Sequence, residues 1–176
     1  MVNRTVRHSV ATSLIVMTAT LAACQGRPDN PGASLAGRVI DVRVLGIQSQ
    51  PVRLVWLLRA EDCLSCFTPT NALRQVQRTY GSDVGLTLAV VDGDTTAASS
   101  FAARERLAVN VAVVPNAADL GRDLGPWPVL LLLQDSLVVN AWHAGGMARL
   151  TGDSLVGRLD EVLKRGNRAQ RGSGSL

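Results

Sequence analysis

The sequence predicts an α/β domain built on a mixed central sheet with helices on both faces, and three observations carry that prediction. Strongly apolar runs of strand length alternate with segments whose apolar residues recur at helical spacing. The early runs are separated by helix-length connections, as parallel neighbours require, and their near-continuous apolarity suits strands covered on both sides. The last two runs are separated only by Gln134, Asp135 and Ser136, which is hairpin spacing and makes the end of the sheet antiparallel.

Residues 38–45 alternate loosely through Val39, Ile40, Val42, Val44 and Leu45 and are read as an edge strand. Residues 52–58 are more continuously apolar and form a strand buried on both faces. From 64 to 80 the positions Leu64, Phe67, Leu73, Val76 and Tyr80 recur at helical spacing, so a helix beginning near Cys63 would be kinked at Pro69. Residues 85–91 make the next buried strand, closed by Asp92-Gly93-Asp94. Residues 96–108 form a short helix with Phe101 and Leu107 on its apolar side, and 111–114 a strand stopped by Pro115. The hairpin follows over 129–133 and 137–142. A final helix over 154–164 buries Leu155, Leu159, Val162 and Leu163, with Lys164 and Arg165 at the end where cations are favoured.

The ends of the chain have other roles. Arg4 and Arg7 precede an apolar run over 10–22, too short for a membrane-spanning helix, which needs about 20 residues, but suited to the core of a secretion signal. Leu21-Ala22-Ala23-Cys24 then resembles the lipobox of bacterial lipoproteins. The resemblance implies diacylglyceryl transfer to Cys24, cleavage before it and, with more than one acyl chain, stable attachment to a lipid bilayer. Loss of 1–23 lowers the formal charge from +4 to +2 (16 basic minus 14 acidic residues), so part of the basic character belongs to the targeting segment. Residues 24–35, rich in Gly and Pro, read as a flexible tether, 36–165 as one domain with a full core, and 166–176 as a disordered tail. The domain has scattered arginines, a single lysine and no aromatic-studded basic patch or nucleic-acid motif, so nucleic acid is not an expected partner.

Function is expected at Cys63-Leu64-Ser65-Cys66, where the second strand gives way to a helix-like segment. Thiols at this spacing can share one helical turn and close into a disulfide without unfolding, as a reversible redox couple requires. Unpaired N–H groups at a helix start favour a thiolate at Cys63, whereas Glu61 and Asp62 oppose it. The pair can also be read as an inert staple, or as half of a zinc site that lacks a second pair.

The order of elements, Cys-x-x-Cys after the second strand, and Trp127-Pro128-Val129 opening the next long strand resemble the thioredoxin-like superfamily over about residues 36–165. Membrane-tethered thiol:disulfide oxidoreductases are the nearest type. The resemblance implies that Cys63 is the attacking thiol, Cys66 the resolving thiol, and Pro128 a cis-proline facing them. Trp127 would bind an extended substrate through its backbone. Gly145 and Gly146 match the turn into the last helix. No cofactor or metal is implied. The expected partners are cysteine-containing envelope proteins and a membrane or periplasmic redox partner that resets the disulfide. The chain has Asp62 where the family commonly has Trp, Leu64-Ser65 where it often has Gly-Pro, and Leu57 near the position of a buried acid. His143 is the only histidine after processing and reads as an ordinary strand-end residue. In the alternative function it would join the two cysteines as a copper chaperone's ligand. A non-catalytic envelope binding module is the other alternative.

Overall fold

Five of the apolar runs pair into one sheet: β1 (Val52–Arg59), β2 (Val84–Val91), β3 (Asn110–Val114), β4 (Val129–Gln134) and β5 (Leu137–His143), in the order β3-β2-β1-β4-β5. In this computed structural model, residues 35–45, 50–59, 61–62, 69–120 and 124–172 are described. Cys24, Cys63 and Cys66, and with them the predicted thiol and lipid sites, lie outside the described residues. β1, β2 and β3 run parallel, connected through α1 (Thr70–Tyr80) and α2 (Thr96–Arg104), while β4 runs antiparallel to both β1 and β5. The chain ends in α3 (Ala144–Met147) and α4 (Gly152–Gly172). The sheet is thus mixed, as the sequence predicts.

The pleat divides the apolar side chains into two layers. On one face Leu54, Trp56 and Leu58 of β1, Leu88 and Val90 of β2, and Leu130 and Leu132 of β4 pack under all three longer helices. Phe101 of α2 meets Trp56 edge-on, with ring centroids 5.9 Å apart. On the other face Val55 and Leu57, Ala89 and Val91, and Val129, Leu131 and Leu133 are covered by the segment 35–45 and by a 3₁₀ turn at Ala117–Leu120. Helical structure therefore covers both faces, but unequally.

One element and several boundaries differ from the sequence reading. Residues 38–45 are not an edge strand: Val39 makes one isolated bridge to Leu137, and the chain then coils through hydrogen bonds from Val44 N–H to the Asp41 carbonyl and from Leu45 N–H to the Val42 carbonyl. The Asp41 carboxylate accepts from Arg43 N–H at 3.0 Å, offering the backbone a turn in place of a ladder. Ile40 and Leu45 are nonetheless buried, and so is Leu35, which brings the fold into the last residue of the expected tether. α1 starts at Thr70 with Pro69 as its N-cap, where the absent N–H costs nothing, and the earlier part of the expected helix lies outside the described residues. α2 ends at Arg104, short of 108. α4 continues to Gly172, so the first residues of the expected tail are helical.

The helices on the first face are clipped together by Tyr80, whose hydroxyl donates to Asp160 at 2.6 Å across the α1–α4 contact. Burial and the neighbouring carboxylate raise the phenol's pKa well above its ordinary value. A folded pKa raised above the unfolded one contributes stability fully below about pH 10, which is lost as pH rises beyond that. Tyr80→Phe is therefore expected to cost about 1 kcal/mol at neutral pH and to flatten the alkaline fall in stability. Urea melts at pH 7 and above pH 10 check this, and a variant with the same alkaline slope as the parent would refute it.

Candidate active site

The parallel strands β1, β2 and β3 all end at one edge of the sheet, and β4 begins there. Leu57 pairs with Val129 and Val129 with His143, so the end of β1, the start of β4 and the end of β5 lie side by side. Crevices at the carboxyl ends of such strands are where open α/β sheets bind ligands. The chain that enters β4 here is Gly125-Pro126-Trp127-Pro128. The Trp127–Pro128 peptide bond is cis, as the resemblance implies. Pro128 is buried, Pro126 is exposed and Trp127 is half-buried, with one side against the second core layer.

Two residues hold this segment: Arg59, which the sequence does not single out, and His143, which it gives no such role. Arg59, the last residue of β1, places its guanidinium carbon 5.1 Å from the centre of the Trp127 ring. A guanidinium at that distance over an indole is attracted by the ring's quadrupole. The chain then turns tightly: Asp62 N–H donates to the Arg59 carbonyl at 3.1 Å, and Arg59 N–H donates to the Asp62 carboxylate at 2.6 Å. The segment carrying Cys63 and Cys66 leaves from this turn and the described chain resumes at Pro69, just before α1.

His143 is the second. It stands at the end of β5 as expected, but it is buried, with 5% of its surface exposed. Its Nδ1 lies 2.6 Å from the Pro126 carbonyl oxygen. Because a carbonyl only accepts, Nδ1 carries the proton, and in the neutral ring Nε2 is then an acceptor. Nε2 is buried and has no hydrogen-bond partner among the described residues. The ring also lies against Gly125, where an added Cβ would come within 3.1 Å of Cε1. Gly125 has φ of +79°, so both its backbone and its contact with His143 call for glycine.

The interior behind this edge is apolar. Leu57 is fully buried beside Val129, and His143 is the buried titratable side chain that reaches the segment. Gly145 and Gly146 lie in α3 and are exposed, and Met147 of the same turn is buried in the first core layer. The chain enters α4 through Thr151, whose hydroxyl accepts from Ser154 N–H at 3.2 Å as a helix cap. Among the described residues no group of three or more His, Cys, Asp or Glu is gathered as a metal site would need.

The sequence matches no known family, and no curated protein matches it. Its fold does match solved structures. One is a candidate protein disulfide isomerase from Bacteroides thetaiotaomicron, 16% identical, with 69% of this chain and 79% of that one covered at a TM-score of 0.52. Another is a candidate thioredoxin from Neisseria meningitidis, 12% identical, with 66% and 77% covered at a TM-score of 0.50. Likeness at these identities speaks for the fold alone, and the fold is thioredoxin-like.

Proposed function

We propose that the chain is a thiol:disulfide oxidoreductase of the bacterial envelope, working through Cys63 and Cys66. The observation that supports this most directly is the contact between Arg59 and Trp127. Arg59 precedes Cys63 by four positions and Trp127 immediately precedes Pro128, so the flank of the cysteine segment and the segment entering β4 meet at one edge of the sheet. The names of the two solved structures, a disulfide isomerase and a thioredoxin, accord with this chemistry.

In the proposed reaction the Cys63 thiolate attacks one sulfur of a substrate disulfide. A mixed disulfide forms and the substrate's other sulfur leaves as a thiolate. Cys66, deprotonated in turn, attacks the Cys63 sulfur and closes the Cys63–Cys66 disulfide, releasing the second substrate thiol. The substrate gains two electrons and the dithiol loses them. A dithiol-class reductant in the envelope then restores the pair, and the same steps in reverse oxidise a substrate. Trp127 and Pro128 would hold the substrate as extended backbone. The decisive experiment is a redox titration of residues 24–176 against glutathione, read by alkylation of Cys63 and Cys66. A single two-electron transition together with catalysed exchange is expected, and a pair that neither cycles nor exchanges would leave a structural staple in a binding module.

Copper delivery through the two cysteines and His143 is less well supported. The imidazole is buried, so a metal could reach it only through Nε2, the nitrogen left as an acceptor when Nδ1 donates to the Pro126 carbonyl. We also propose that residues 1–23 are removed and that Cys24 is acylated, anchoring 36–165 on the extracytoplasmic side through the tether. Mass spectrometry of the mature N-terminus should find an acylated cysteine, and an intact Met1 would overturn this.

A further inference from the structure

Arg59 ends β1 with a guanidinium whose hydrogen-bonding capacity is barely used among the described residues. Among the described residues its Nε is buried without a partner, and its ion-pair contact is with Glu61, at 4.0 Å. That distance is beyond a hydrogen bond, and the two side chains are 42% and 72% exposed, so solvent screens the pair. The other nearby carboxylate, Asp62, is turned back onto the Arg59 backbone N–H at 2.6 Å. The terminal nitrogens, charged at any physiological pH, are the donors a ligand can still reach.

The guanidinium is also pre-placed. One side rests on Trp127, which limits the rotamers that must be frozen when a ligand binds. Arginine suits such a position because its planar, weakly hydrated head stacks on aromatic rings while its edge can take both oxygens of a carboxylate. We propose that Arg59 is a substrate-recognition residue that binds a carboxylate on the peptide engaging Trp127–Pro128, so that exchange favours acidic peptides. This rests on the exchange function proposed above and adds a substrate class to it. Glu61 acts as an internal competitor that an incoming carboxylate displaces, which its exposure and distance allow.

The test compares kcat/KM for matched peptide disulfides carrying Asp or Asn beside the reacting cystine. The parent should favour the Asp peptide by about fivefold, the upper end for a solvent-exposed ion pair. The ratio should fall to about one in Arg59→Gln and to an intermediate value in Arg59→Lys, which keeps the charge without the planar fork. It should rise in Glu61→Gln and shrink as salt is added. A parent ratio near one, or a ratio unchanged in Arg59→Gln, would overturn the proposal. Binding of the same peptides with Ser in place of Cys, followed by Trp127 emission with Trp127→Phe as control, separates the two claims. An Arg59-dependent preference in binding without any exchange would keep the recognition role and remove the exchange function. Exchange with no charge preference would do the reverse.

Discussion

Cys66→Ala is expected to turn the chain from a turnover catalyst into a trap. With the resolving thiol gone, the Cys63–substrate disulfide can be broken only by an external thiol, so mixed disulfides with envelope proteins should accumulate and be visible on non-reducing gels. Cys63→Ala should form none, and both variants should lose dithiol turnover to the level of the uncatalysed reaction. The asymmetry depends on Cys63 being the more acidic thiol. Alkylation across pH should give Cys63 an apparent pKa below the reference of about 8.5. The turn before it bears on this: the Asp62 carboxylate accepts a hydrogen bond from the Arg59 amide, and the Arg59 guanidinium lies in the same turn. Both features offset the negative charge that Glu61 and Asp62 bring to this stretch of chain. Equal labelling of both cysteines with no trapped partner would reject the exchange function and leave the disulfide as a staple.

The strands were legible because burial on both faces writes itself as a run: Val52–Arg59, Val84–Val91 and Val129–Gln134 are mostly apolar, with Arg53 and Thr87 the polar residues inside them. The hairpin was legible from its spacing. Residues 38–45 misled because Ile40 and Leu45 are truly buried, so the apolar signal was real, while the Asp41 side chain satisfies a backbone N–H that a strand would give to a neighbour. The end of α4 was missed because Gly166 and the polar residues after it suggest a stop, yet the helix continues. At the site, Trp127 and Pro128 were found through resemblance. Arg59 was not, and His143 was noticed without its contact to the Pro126 segment, since the importance of both comes from sheet register: Leu57, Val129 and His143 become neighbours only once β4 inserts between β1 and β5. The visible signal for Arg59 was a cation ending the apolar run Leu54 to Leu58 beside the cysteine motif.

His143→Phe should impair exchange more than it impairs folding, although the sequence alone gives His143 no part in turnover. Phenylalanine nearly preserves the ring's volume in a buried site but cannot donate to the Pro126 carbonyl, now held by Nδ1 at 2.6 Å. An acceptor left without its partner costs about 1–3 kcal/mol, partly relieved here because Pro126 is exposed and water can reach the loop. The fold should survive that loss. The loop should not keep its position, because the bond ties the residue before Trp127 to the end of β5, and a displacement of about 1 Å in a positioning element can cost up to 100-fold in rate. kcat/KM should therefore fall by about tenfold or more at a temperature where urea melts show the variant fully folded. His143→Asn, whose amide can donate from nearly the same place, should recover part of the loss, whereas His143→Ala should add a cavity and lose about 2–4 kcal/mol of stability as well. The copper reading makes the opposite forecast, because there His143 matters for metal affinity and not for thiol turnover. A folded His143→Phe chain that exchanges like the parent would remove the positioning role, whereas a strong His143-dependent copper(I) site together with undetectable exchange in the parent would make the metal function the leading one.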